Sequence, residues 1–153
     1  MDITFSGGKG PLSPEQLAQA EKAMGVTLPA GYREFMLEHN GGEPSRGDFV
    51  FAEATGPYTD GDIRKFYPID GSAVLSLEWE HKLYCGGKQP RMPRDMMPIA
   101  GDSFGNQICI GVSGPRCGHV YFWDHEKEDH DEPTYRNMHL IARSFSEFLA
   151  KLT

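Results

Sequence analysis

Leu28-Pro29-Ala30-Gly31-Tyr32-Arg33-Glu34-Phe35-Met36-Leu37-Glu38-His39-Asn40-Gly41-Gly42 carries the clearest local instructions in the chain. Pro29 suits the first turn of a helix, where a missing N–H costs nothing. Tyr32, Phe35, Met36 and His39 recur every three or four residues, which places them on one helical face. Asn40-Gly41-Gly42 stops the helix, because Asn and Gly tolerate the left-handed backbone that closes one.

A second helix is written just upstream. Ser13-Pro14-Glu15-Gln16 combines a cap, a first-turn proline and a glutamine that can bond back to the cap N–H. Leu17, Ala20 and Met24 form its inward stripe, and Gly25 ends it. The short link Val26 to Leu28 makes the two helices a hairpin. Residues 1–11, with Gly7-Gly8-Lys9-Gly10-Pro11, read as a flexible, irregular or weakly extended arm.

Downstream the pattern turns to strands. Asp48-Phe49-Val50-Phe51 has the aromatic and β-branched content of one. Ala54 to Asp62 reads as a loop, and Phe66-Tyr67-Pro68-Ile69 as an edge strand or bulge, since Pro68 cannot donate in a central ladder. Ser72 is the expected cap of a third helix reaching about Leu83, with Val74, Leu75 and Leu77 as its apolar residues. Met96–Ala100, Asn106–Val112 and His119–Asp124 read as strands, the last two joined by a Gly/Pro turn and therefore antiparallel. Met138–Ala142 reads as a last short strand or a lead-in. Ser144-Phe145-Ser146-Glu147 then caps a terminal helix with Phe145, Phe148, Leu149 and Leu152 on one side. This order predicts a single α+β domain over residues 1–153. A mainly antiparallel sheet would carry an N-terminal helical hairpin, a middle helix and a C-terminal helix.

Composition narrows the function. The 153 residues are 39% hydrophobic, ordinary for a folded domain, and plentiful in aromatics at 11%. The formal charge of −7 opposes binding to nucleic acid or to an anionic membrane surface and favours a basic partner, if the partner is charged. No apolar run is long enough to span a bilayer, and the N-terminus shows no secretion signal. Cys85, Cys109 and Cys117 lack metal or redox spacing, so reduced thiols in the cytoplasm are expected.

The chain resembles the SUKH superfamily, bacterial immunity proteins that share their domain with a yeast regulator of cell-wall synthesis. Several pieces carry the resemblance: the opening helix; Leu28-Pro29, Tyr32, Phe35 and Asn40-Gly41-Gly42; Pro98-Ile99-Ala100, Asp102 and Gly105-Asn106; Ile108-Cys109-Ile110; Gly118 to Asp124; and Ser144 to Leu149. It implies a strongly bent antiparallel sheet with helices beside it. It also implies a non-enzymatic role, binding and neutralising a partner toxin, often a nuclease. No catalytic residue, metal ligand or cofactor is carried over, because the motif residues of this family are mainly architectural.

The richest polar run is Asp124-His125-Glu126-Lys127-Glu128-Asp129-His130-Asp131-Glu132, with six carboxylates and one lysine. It suits a solvated loop or an acidic docking surface for a basic protein. A metal site for a hydrolase would need His125, His130 and neighbouring carboxylates, but their spacing matches no known ligand pattern. Trp123 precedes the run and alternates with Tyr121. Facing the core it would anchor packing; facing solvent it would be an interface residue. The candidate partner-binding set is therefore Trp123, Asp124, Glu126, Glu128, Asp129, Asp131 and Glu132, with Asp60 and Asp62 as a secondary group. The alternative to toxin neutralisation is a general interaction or scaffold domain. Asp102-Ser103-Phe104-Gly105-Asn106 reads as a turn rather than a reactive serine, and Gly7-Gly8-Lys9-Gly10 lacks the rest of a phosphate loop.

Overall fold

The computed structural model describes residues 2–52 and 58–153. Two helices open the chain, α1 (Pro14–Met24) and α2 (Ala30–His39), after a two-residue strand β1 (Phe5–Ser6). Ser13 Oγ accepts from Gln16 N–H and Gln16 bonds back to Ser13 N–H, closing the expected capping box. Pro29 stands one place earlier than anticipated, at the cap rather than inside the first turn. Tyr32, Phe35 and Met36 are buried as the periodicity requires, and His39 is half-buried against Phe5 and Phe35.

Asn40 ends α2 with φ 48°, and its side chain is buried. Its amide accepts from Ile69 N–H and donates to Ile69 C=O, at 2.8 and 3.0 Å. The N-terminal arm is fastened to the same corner. Phe5–Ser6 pairs with β2 (Glu43–Pro44), and Lys9 N–H donates to Asn40 C=O. Gly8 is needed there, because a Cβ would lie 2.3 Å from His39 C=O.

The main sheet is antiparallel, in the order β5 (Lys65–Phe66), β6 (Met96–Gly101), β7 (Gln107–Gly111), β8 (Val120–Trp123), β9 (Met138–Ala142). Register shifts between Pro98 and Ala100, and again at Val120/Tyr121, interrupt the ladder. Such bulges bend strands and increase twist. Pro98 lies at the first of them, a place where its missing N–H is tolerated.

A separate hairpin, β3 (Asp48–Ala52) and β4 (Tyr58–Asp62), packs beside β9. Tyr58–Asp62, expected in a loop, is thus strand. Residues 54–57, the rest of that expected loop with Gly56-Pro57, lie outside the described residues. The third helix also differs. α3 runs Leu77–Cys85, capped by Ser76 rather than Ser72, while Val74 and Leu75 are exposed in the preceding turn. Ser72 and Leu75 both adopt φ 68°, a left-handed backbone that cannot continue into a helix. The final helix α4 (Phe145–Lys151) is capped by Ser144, and Phe145 and Phe148 face the core.

One large core joins α2, α4, the hairpin and one sheet face through Tyr32, Phe35, Phe49, Phe51, Phe66, Phe122, Phe145 and Phe148. A smaller cluster of Tyr84, Cys85, Met92, Met96, Cys109 and Trp123 fills the space under α3.

Candidate functional site

The small cluster removes Trp123 from the surface. The ring is wholly buried and meets Tyr84 edge-on at 5.4 Å. Trp123 is therefore a packing residue, because β8 turns it with Cys109 and Met96 toward α3. The exposed tryptophan is Trp79, on α3 with the exposed Leu83.

The acidic run is divided rather than continuous. Glu128 is held by Arg91 through two hydrogen bonds of 2.8 and 3.3 Å, and its side chain is only 10% exposed. The Arg91 guanidinium in turn lies over the rings of Tyr84 and Trp123. Asp129 accepts from Thr134 Oγ1 and Arg136, which hold its carboxyl below the usual range. Both carboxylates have internal partners. Asp131 and Glu132 are exposed beside a shallow depression shared with Lys88 and Arg94. His125 Nδ1 lies 2.6 Å from Asn106 Oδ1, and His130 is exposed. Among the described residues, no group of three or more His, Cys, Asp or Glu is placed to hold a metal ion.

Asp124 and Glu126 take a different course. Asp124 caps a single 3-10 turn over His125–Lys127 by accepting from Glu126 N–H at 3.0 Å. That turn lies beside the β6–β7 connection. There, the Asp102 carboxylate accepts from Phe104 N–H, Asn106 N–H and Asn106 Nδ2 at 2.8 Å each. The turn expected at 102–106 is built by these bonds, and it carries Phe104 outward, 77% exposed. On the other side stands the β3–β4 hairpin. Asp62 accepts from Ser103 Oγ at 2.7 Å, tying hairpin to turn.

Between them lies a groove of about 820 Å³. Six of its lining residues are acidic: Asp48, Asp60, Asp62, Asp102, Asp124 and Glu126. Among the described residues, none that line it is Lys, Arg or His. Its apolar floor includes Phe51 and Phe122, whose rings stack at 4.4 Å. Asp48 stands directly across the ladder from Asp62, a like-charge pairing that costs stability. The two acidic groups read separately in the sequence, at 60–62 and 124–126, thus meet in one place. Asp48, Asp102 and Phe104 join them without having been singled out as binding residues. A clue existed for Phe104, a large aromatic inside a turn sequence. For Asp48 the signal is the strand pairing, which is not a local property of the sequence.

Burial makes poor nucleophiles of two thiols. It pushes Cys85 up to about 12 and Cys109 well above its ordinary value, so both stay protonated at neutral pH. Among the described residues, no helix is long and apolar enough to cross a membrane.

The model of the SMI1 / KNR4 family (SUKH-1) matches residues 11–151. This chain belongs to that family. The match runs from the turn before α1 to the end of α4, so it takes in both walls of the groove. Among similar proteins is the SPbeta prophage-derived uncharacterized protein YokK of Bacillus subtilis (strain 168), 28% identical, with 99% of this chain and 81% of YokK covered. Another is the uncharacterized protein YnaB of the same organism, 49% identical over 48% of this chain and 56% of YnaB.

Proposed function

We propose that this SUKH-family protein is a non-enzymatic immunity protein that binds a basic toxin and occludes it. The observation that carries the reading is the groove, whose described lining has six acidic residues and no cationic one. Uncompensated negative charge in a concave site raises the local potential and speeds encounter with a cationic partner. Phe104 at the lip supplies the kind of exposed aromatic that anchors an interface once desolvated. Family membership supports the toxin as partner. Occlusion needs no catalytic group in this chain, only a surface that outcompetes the toxin's substrate.

The test is co-expression with candidate toxin domains taken from genes neighbouring this one, reading cell growth and complex formation by size exclusion. The native chain restores growth. A variant with Asp60→Asn, Asp62→Asn, Asp124→Asn and Glu126→Gln folds by circular dichroism but protects at least tenfold less well. Failure of the native chain to protect or to form a complex overturns the reading.

A further inference from the structure

β4 lies outside the main sheet and, among the described residues, pairs with β3 alone, so one of its edges carries unpaired main-chain groups. Ile63 N–H donates to Gly47 C=O at 2.8 Å, one step beyond the pairs Asp48↔Asp62 and Phe49↔Gly61. Hydrogen-bonded pairs alternate along an antiparallel ladder, so Phe49 with Gly61 and Phe51 with Thr59 carry the rungs. The N–H and C=O groups of Asp60 and Asp62 consequently point away from β3. Arg64 has the same parity, and its N–H donates to Gly101 C=O at 3.0 Å, at the end of β6. From Arg64 back toward Asp60, β4 parts from β6; Ser103 Oγ and N–H hold the Asp62 carboxylate at 2.7 and 3.4 Å, but among the described residues no partner bonds the main-chain N–H or C=O of Asp60 or Asp62 on that side. The wedge between β4 and the 102–106 turn is part of the acidic groove.

We infer that this edge accepts an extended, cation-bearing segment of the partner protein as an added antiparallel strand. The inference rests on the groove being the partner surface and specifies how it is filled. Strand addition draws affinity from main-chain hydrogen bonds and specificity from alternate side chains. Side chains two apart on a strand recur at about 6.6 Å, the same step on guest and host. A Lys-x-Lys segment therefore sets its ammonium groups against Asp60 and Asp62, with Asp48 on the same face. The intervening residues turn to the opposite face, toward Phe49 and Phe51. Carboxylates on an open edge also bar neutral and acidic strands, which guards against self-association while admitting a cationic guest.

The probe is a capped Lys-Val-Lys-Val-Lys peptide added to the intact, isotope-labelled protein. Binding slows amide exchange at Asp60 and Asp62 at least tenfold. Because the guest residues opposite Asp60 and Asp62 supply the rungs, N-methylation of the lysines weakens binding at least tenfold. N-methylation of the valines changes it less than twofold. A Glu-Val-Glu-Val-Glu peptide does not bind. Cationic peptide that binds equally in both methylated forms, or leaves Asp60 and Asp62 exchange unchanged, overturns strand addition while leaving the groove a cation site. Absence of binding by any cationic peptide overturns strand addition, whereas the toxin reading fails only in its own protection assay.

Discussion

Replacing Asn40 tests the corner on which the fold turns. Asn40 has two separable jobs. Its backbone sits at φ 48°, and its side chain makes two hydrogen bonds to Ile69, at 2.8 and 3.0 Å. Asn40→Ala removes both bonds and leaves an Ile69 N–H and C=O without their partner. Ile69 is half-buried, so each loss sits near the low end of the range, about 1 kcal/mol. Holding alanine in the left-handed region adds roughly 1–2 kcal/mol. The sum is about 3–4 kcal/mol. For a chain of this size that lowers Tm by roughly 6–16 °C. Asn40→Gly also loses the side-chain bonds but accepts the backbone angle, so it recovers about 1 kcal/mol after glycine's own entropy cost. Urea unfolding of the three proteins, with equal slopes, gives the values. A loss under about 1 kcal/mol for Asn40→Ala, against the bond range used here, refutes the two-bond account. Equal losses for Ala and Gly refute the backbone part.

Two further perturbations probe buried groups. Glu80 is 5% exposed, and burial raises its carboxyl above the ordinary 4.5. The folded state therefore holds this proton more tightly than the unfolded chain. Stability contributed by Glu80 falls as pH rises from about its unfolded value through its raised folded value, and the deficit persists above it. Glu80→Gln should unfold at a higher temperature than the native chain at pH 7. The difference should shrink as pH falls toward 4.5. A gain independent of pH contradicts that cause. Glu128→Gln should lower stability, since it strips Arg91 of its ionic partner above Tyr84 and Trp123, while Glu126→Gln, exposed in the groove, should leave stability unchanged. Thermal melts of the two variants separate the internal carboxylate from the surface one, and equal melts contradict the division.

Much of the fold was legible because its signals are local. The capping box at Ser13 and Gln16, the stop at Asn40-Gly41-Gly42 and the Asp102–Asn106 turn are each decided within a few residues. Ser72 and Ser76 are both plausible caps, so local signals alone do not fix where the third helix starts. The choice falls to Ser76 where Leu77 can be buried, and Val74 and Leu75 are left outside. Trp123 could not be placed from alternation, which says which residues share a face and not which face meets the core. The acidic run looked like one surface because charge is visible in sequence while its partners are not. Arg91 takes Glu128 across 37 positions, and Arg136 takes Asp129.

Capping, periodicity and turn chemistry act over short spans of chain, so the α+β class, the two N-terminal helices, the antiparallel pairing of the 106–112 and 119–124 strands and the family can be read from the residues alone. Where negative charge gathers without a cation depends instead on the packed fold. Asp60 and Asp62 meet Asp102 and Asp124 because β4 parts from β6 and the β6–β7 turn closes the other side. That placement depends on strand registers and on contacts between distant segments.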